Sequence, residues 1–100
     1  MVLQDRINVA DEALAELCRR HHVRELALFG SVLRDDFRAD SDIDMLVEFE
    51  PDARIGIFEL ARLQRELAAL FGREVDLVPK AGLKPVIRKP ILETAYILYS

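Results

Sequence analysis

The sequence predicts a small α/β (α+β) domain in which a mixed sheet of about three or four strands packs against helices on one side. Short apolar segments that end at glycine or proline alternate with longer segments whose apolar residues recur at helical spacing. The connection between the first two predicted strands is too short for a parallel crossover helix, so these strands should pair antiparallel. The next connection can hold a helix, and a mixed sheet backed by helices follows.

The composition fits one domain, residues 1–100, that folds without disulfides. Hydrophobic residues make up 51% of the chain, and the single cysteine, Cys18, has no partner for an internal disulfide, so we interpret it as a small buried residue. Neither a signal peptide nor a membrane-length apolar run is present, which favours a cytoplasmic location without a membrane partner. The formal charge of −4 argues against direct nucleic-acid binding.

A helix and a strand are predicted at the start of the chain. Residues 3–21 show helical periodicity, with acidic residues early and basic residues late, which is the order that the helix dipole favours. We interpret His21 and His22 as helix-terminal cations or surface residues. Residues 24–29 form a short apolar run that predicts a buried strand ending at Gly30.

The next segment contains a turn and a second strand. Gly30-Ser31 should begin a turn, since glycine permits backbone conformations closed to other residues. A helical turn is predicted over Val32–Phe37, followed by a polar loop. In the strand predicted from Asp42 to Phe49, alternate residues should point to opposite faces of the sheet. The residues expected on the apolar face are Ile43, Met45, Val47 and Phe49.

The second half of the chain predicts a helix, a strand, a last helix and an apolar tail. Residues 57–71 return to helical periodicity, with Gly72 as the C-cap, and a third strand over 74–78 stops at Pro79. Residues 84–94 predict a last helix with Pro85 in its first turn, although Pro90 leaves a shorter helix from 90 to about 95 open. Residues 95–99 form an apolar tail, either a strand or a partner-binding end.

The residues most suggestive of chemistry are Gly30-Ser31 and the carboxylates that follow. Asp42 and Asp44, two positions apart on a strand, should share a face, and Asp76 would join them if its strand lies alongside. Carboxylates together with phosphate oxygens suit Mg²⁺, and a glycine-serine turn offers donors to phosphate. The alternatives are an ordinary turn, a capping role for Asp42 and a solvent-facing Asp76.

This arrangement resembles a known family. Gly30-Ser31, a gap of ten residues, Asp42-x-Asp44 and a later Asp76 are similar to the pattern of the polymerase-beta-type nucleotidyltransferase superfamily. The segment GSVLRDDFRADSDIDMLVEFEP resembles the minimal nucleotidyltransferases (MNT), the MNT-domain antitoxins that are commonly encoded beside HEPN-domain toxins. The likeness covers essentially the whole chain and is clearest from Leu26 to Val78.

The resemblance implies a nucleotidyltransferase fold and an activity. The reaction would transfer AMP from ATP to a hydroxyl, typically a tyrosine of a cognate HEPN RNase toxin, which the modification silences. By position, Asp42, Asp44 and Asp76 would be the catalytic carboxylates and Mg²⁺ ligands, and Asp76 the candidate base for the acceptor hydroxyl. The nucleotide would be held by Gly30, Ser31 and Arg34. Many relatives have glycine where Asp35 follows Arg34 here, which bears on the shape of that loop.

Two other functions stay open from the sequence. One is an antitoxin that neutralises its toxin by binding alone, with a vestigial site. The other is an adenylyltransferase of a small-molecule hydroxyl, although such relatives usually carry an added helical domain. A nucleic-acid polymerase is disfavoured by the acidic balance and the chain length.

Overall fold

A four-stranded mixed sheet forms the centre of the fold. The computed structural model describes residues 11–34, 38 and 41–100. In chain order these residues form α1 (Asp11–Arg20), β1 (Val23–Phe29), a 3₁₀ turn (Gly30–Leu33), β2 (Ile43–Phe49), α2 (Ile57–Phe71), β3 (Val75–Pro79), a second 3₁₀ turn (Lys80–Gly82), α3 (Pro85–Thr94) and β4 (Tyr96–Tyr99). The predicted fold class is confirmed.

The strand order across the sheet is β3-β2-β1-β4. The central strand β1 is antiparallel to both β2 and β4, as the short connection after Phe29 predicts. The longer connection holds α2 and lets β3 lie parallel to β2. Among the described residues, no helix is both long enough and apolar enough to cross a membrane.

The main core lies on one face of the sheet, under α1 and α2. It joins buried side chains of β1 and β2 to buried side chains of the two helices, and its largest members are Leu26, Leu28, Ile43, Met45, Leu63 and Leu67. Each such side chain contributes about 1.5–3 kcal/mol when it leaves water. Cys18 belongs to this core as predicted, and burial raises the pKa of its thiol to about 11 although nearby Arg19 lowers it.

A smaller cluster occupies the opposite face of the sheet. Ala27 and Leu46 point to this side and are covered by Leu83, with Ile91 and Ala95 packed against them. The predicted arrangement with helices on one side therefore describes α1 and α2, while α3 lies on the other face. The reason is that Ala27 and Leu46 are themselves apolar and need a cover, which the strand alternation by itself does not reveal.

Most predicted boundaries agree with the structure. The helix α2 has the predicted bounds, and Gly72 adopts the left-handed conformation (φ 68°) with its N–H bonded to the carbonyl of Ala68. The apolar tail is a strand. The part of the first predicted helix over residues 3–10 lies outside the described residues. Residues 35–37 of the turn predicted over Val32–Phe37 also lie outside them, and the described part of that turn belongs to the 3₁₀ turn.

The helix α3 is continuous through Pro90, so the shorter alternative is wrong. Proline leaves the carbonyl of Val86 without its usual helical partner. Val86 is 81% exposed, so that this loss falls on the side of the helix that faces water.

Candidate active site

The glycine of the Gly30-Ser31 turn lies directly against a carboxylate. Phe29, the last residue of β1, pairs with Asp44 of β2, so the chain turns beside that side chain. Gly30 has a positive φ of 75°, and a Cβ at this position would clash with Oδ2 of Asp44. Glycine is needed here both for its backbone conformation and because a side chain would occupy the place of the carboxylate.

Two of the three predicted carboxylates are neighbours across the parallel strand pair. Asp44 of β2 and Asp76 of β3 are register partners. The residues on either side of each, such as Ile43 and Val75, are buried in the main core, so the two aspartates belong to the opposite face. The sequence predicted that Asp76 would join Asp44 if the third strand lay beside the second, and the structure shows that it does.

Asp42 lies just before β2 and is exposed. The hydroxyl of Ser31 donates a hydrogen bond of 3.4 Å to the main-chain carbonyl of Asp42. On the other side, the N–H of Ile43 donates to the carbonyl of Glu74, 2.9 Å away, where the parallel pairing begins. Asp42 is thus presented from a main chain that is held on both sides.

The environment of Asp44 disfavours its ionised form. Burial raises the pKa of this carboxyl, and the negative charge of Asp76 raises it further. A hydrogen bond from the backbone N–H of Ser31 lowers the pKa in part, while Asp42 raises it and Arg34 lowers it, and the net shift is upward. A carboxyl whose pKa is raised beside other carboxylates is the electrostatic condition that a bound cation relieves.

The donor set fits Mg²⁺, which prefers carboxylate oxygens and retains some of its waters. Asp44 and Asp76 are adjacent, and Asp42 is near enough to act on the pKa of Asp44. Within the described part of the chain, however, no three His, Cys, Asp or Glu side chains are assembled as a ready-made metal cluster. Binding through all three aspartates therefore requires side-chain adjustment, and their joint role stays a prediction.

A cleft of about 650 Å³ opens beside Asp44. Gly30 and Arg34 line it from the turn, so the structure brings three of the predicted site residues to one cavity. Its other wall comes from α3, through Pro90, Ile91 and Thr94. The sequence does not predict this wall, because a helical pattern does not say which face of the sheet the helix will cover.

Arg73 is a second residue that sequence analysis missed. Its guanidinium donates to the carbonyls of Arg38 and Ser41, the latter at 2.8 Å. Residues 38 and 41 also bond to each other, through Ser41 N–H to Arg38 O and Arg38 N–H to Ser41 Oγ. The turn that leads into Asp42 is thereby tied to the junction of α2 and β3. No sequence signal marks an arginine after a helix C-cap as such a tether.

Carboxylates on neighbouring strands, beside a tight glycine-serine turn and an open cleft, define a candidate site for metal-assisted phosphoryl transfer. Comparison with known proteins identifies the family within this class. The nucleotidyltransferase domain family matches residues 10–98. The chain therefore belongs to the nucleotidyltransferase domain family, and it is an enzyme of that class.

The relatives in this family include proteins named as protein adenylyltransferases. The protein adenylyltransferase MntA of Thermococcus cleftensis is 42% identical over 83 residues, which are 82% of each chain. A Methanocaldococcus jannaschii protein with the provisional name of protein adenylyltransferase is 33% identical and is covered over 94% of its length.

Solved structures show the same fold. One that is provisionally described as a minimal nucleotidyltransferase is 39% identical, with a TM-score of 0.71 and 94% of its chain covered. A toxin–antitoxin structure with AMP-PNP has a TM-score of 0.72 at 21% identity, covering 92% of this chain and 74% of that one. A complex of a tri-AMPylated HEPN toxin with an MNT antitoxin from Shewanella oneidensis has a TM-score of 0.64 at 21% identity, covering 90% and 69%.

Proposed function

We propose that this chain is a Mg²⁺-dependent protein adenylyltransferase that acts as the antitoxin of a toxin–antitoxin pair. It would transfer AMP from ATP to a tyrosine hydroxyl of a cognate HEPN RNase toxin in the cytoplasm, with residues 1–100 working as one minimal nucleotidyltransferase domain. The observation that carries the proposal is the pairing of Asp44 with Asp76 beside Gly30. The named activity of the 42% identical relative and the AMPylated toxin bound to the Shewanella antitoxin support it.

The proposed site residues have separate roles in binding the metal and the triphosphate. Asp42, Asp44 and Asp76 would hold Mg²⁺, which when bound neutralises charge on the triphosphate and polarises its phosphorus centres. Gly30 and Ser31 would accept the triphosphate at the turn, where backbone N–H groups and a hydroxyl suit phosphate oxygens. Arg34 lines the same cleft and can pair with phosphate through its planar guanidinium.

The transfer step forms one bond and breaks one. The acceptor oxygen bonds to the α-phosphorus of ATP, the bond from that phosphorus to the bridging oxygen breaks, and pyrophosphate leaves. The hydroxyl proton passes to a carboxylate, for which Asp76 is the candidate because it is exposed and lies next to Asp44.

The direct test is transfer of label from ATP to the partner. The purified chain, Mg²⁺ and ATP labelled at the α-phosphate are mixed with the HEPN protein of its own pair, and label on the HEPN protein is measured. Wild type should modify it, whereas an Asp42→Asn, Asp44→Asn double variant and a chelator-treated wild type should not. A bound but unlabelled partner would contradict the proposal. Protection of cells by the double variant would instead favour neutralisation by binding alone.

A further inference from the structure

The cleft beside Asp44 is lined by residues of two chemical kinds. Gly30, Arg34 and Asp44 are residues proposed above for phosphate and metal. Four apolar side chains share the lining with them, namely Phe29 and Leu33 near the turn and Pro90 and Ile91 on α3. A volume of about 650 Å³ lies within the range of small-molecule binding sites, which combine mostly apolar walls with a few polar groups.

We propose that the apolar part of this cleft binds the nucleoside base of ATP, with Ile91 of α3 as its principal contact. A nucleotide carries its negative charges at one end and a flat, weakly polar ring system at the other, which matches the two kinds of residue that line the cleft. The inference rests on the proposed function for its choice of ligand. It assigns to α3 a role in nucleotide binding in addition to the phosphate contacts at the turn.

Thr94 supplies a polar group at the same wall. Its hydroxyl donates to the carbonyl of Pro90, 2.9 Å away, which leaves the oxygen free to accept a hydrogen bond, and Thr94 lines the cleft. An acceptor at this place pairs with the exocyclic amino group of adenine. A purine with a carbonyl at that position, such as hypoxanthine, offers no donor there, so Thr94 favours ATP over inosine triphosphate.

The packing of α3 agrees with a helix that is completed by a ligand. None of its residues is buried, in contrast with α1 and α2. Ile91 is partly buried and touches the small cluster around Leu46 and Leu83. A base in the cleft would cover apolar surface of α3 that now faces water, so nucleotide binding should protect its amides from exchange.

The experiment separates the base from the phosphates by comparing two ligands. Binding of ATP and of inorganic tripolyphosphate, each with Mg²⁺ and without any acceptor protein, is measured by calorimetry. Ile91→Ala should weaken ATP binding roughly tenfold, since about two methylene-sized contacts with the base are lost, and should leave tripolyphosphate binding nearly unchanged. Leu92→Ala is the matched control, because Leu92 is the next residue of α3 but lines other clefts.

Two further measurements do not depend on the core contacts of Ile91. Thr94→Val should reduce the preference for ATP over inosine triphosphate without weakening tripolyphosphate. In the wild type, hydrogen exchange of Pro85–Thr94 should slow with Mg²⁺ and ATP more than with Mg²⁺ and tripolyphosphate.

The outcomes separate this inference from the proposed function. Equal losses for ATP and tripolyphosphate in Ile91→Ala, or an unchanged exchange rate of α3 with ATP, would overturn it. Unchanged ATP binding with impaired transfer to a partner would overturn it as well, and would assign the cleft to the acceptor side chain. The expected binding pattern without any transfer to a partner would support the base site and count against the adenylyltransferase proposal.

Discussion

The main chain at Gly30 and the carboxylate of Asp44 approach each other so closely that even a methyl group does not fit between them. The atom in the way is the end of a flexible side chain, so a substitution at Gly30 would displace the carboxylate more readily than the backbone. The close contact thus couples the shape of the turn to the position of a proposed metal ligand.

Gly30→Ala should therefore abolish most of the transfer activity. The positive φ alone should lower the free energy of unfolding by about 1–2 kcal/mol. Gly72→Ala is the matched control, because Gly72 also has a positive φ (68°) but has nothing within 4 Å of an added Cβ. Thermal unfolding measures the stability of the two variants, and transfer of label from ATP measures their activity. Similar stability losses with activity lost only in the Gly30 variant are expected, and equal activities would argue against the contact.

Asp44→Asn should stabilise the metal-free protein while it removes activity. Burial and the charges of Asp76 and Asp42 disfavour an ionised Asp44, and the amide keeps an oxygen that can accept the hydrogen bond from Ser31 N–H. The unfolding temperature without Mg²⁺ should rise by a few degrees. Asp52→Asn, in the exposed turn after β2, serves as the control and should change neither quantity. A lower unfolding temperature for Asp44→Asn would show that repulsion does not dominate this site.

Arg73→Met should impair catalysis more than folding. The loss of the tether to Arg38 and Ser41 frees the turn that presents Asp42, and misplacement of a ligand by about 1 Å can lower rates by roughly 100-fold. The Mg²⁺ concentration for half-maximal transfer should rise, and excess Mg²⁺ should restore part of the rate. Arg65→Met, on an exposed position of α2, is the control. An unchanged Mg²⁺ dependence would leave Arg73 a purely structural role.

The ion pairs of Glu66 predict a pH effect on stability. Desolvation raises the pKa of Glu66, but hydrogen bonds and the charges of His21 and Arg20 outweigh it and lower the pKa overall. A carboxyl with a lowered pKa in the folded state stabilises above its unfolded pKa, and this contribution is lost as pH falls through the folded pKa. Glu66→Gln should thus be less stable than wild type near pH 7, by less than about 1 kcal/mol, since such pairs are screened by solvent.

The difference between Glu66→Gln and wild type should disappear when the pH falls below the ordinary range of glutamate. Glu16→Gln, on an exposed position of α1, should show no such difference at either pH. Denaturant unfolding near pH 7 and at the low pH measures these stability differences. A stability difference that persists at low pH would show that Glu66 acts through packing and not through charge.

Local patterns predicted the elements well. The alternation of β2 placed Ile43 and Met45 in the core and Asp44 on the opposite face, and helical periodicity with Gly72 gave both ends of α2. These features depend on residues close in sequence, whose spacing fixes the side of the element that is buried.

What the sequence could not supply are the contacts between distant segments. The position of α3 across Ala27 and Leu46 and the reach of Arg73 to Ser41 depend on tertiary packing, which no local spacing encodes. The pairing of Asp44 with Asp76 was predicted only on the condition that β3 lies beside β2, and the register fulfils that condition.

The parallel pairing of β2 with β3 also has a consequence for how this protein is made. Asp44 and Asp76 meet only after α2 has crossed the sheet, so the hairpin of β1 and β2, whose contacts are local, can form while the site is still incomplete. A nascent chain that has not yet emerged beyond α2 carries half of its carboxylate pair and cannot assemble the rest. During synthesis the proposed site therefore stays incomplete until β3 has emerged and paired with β2.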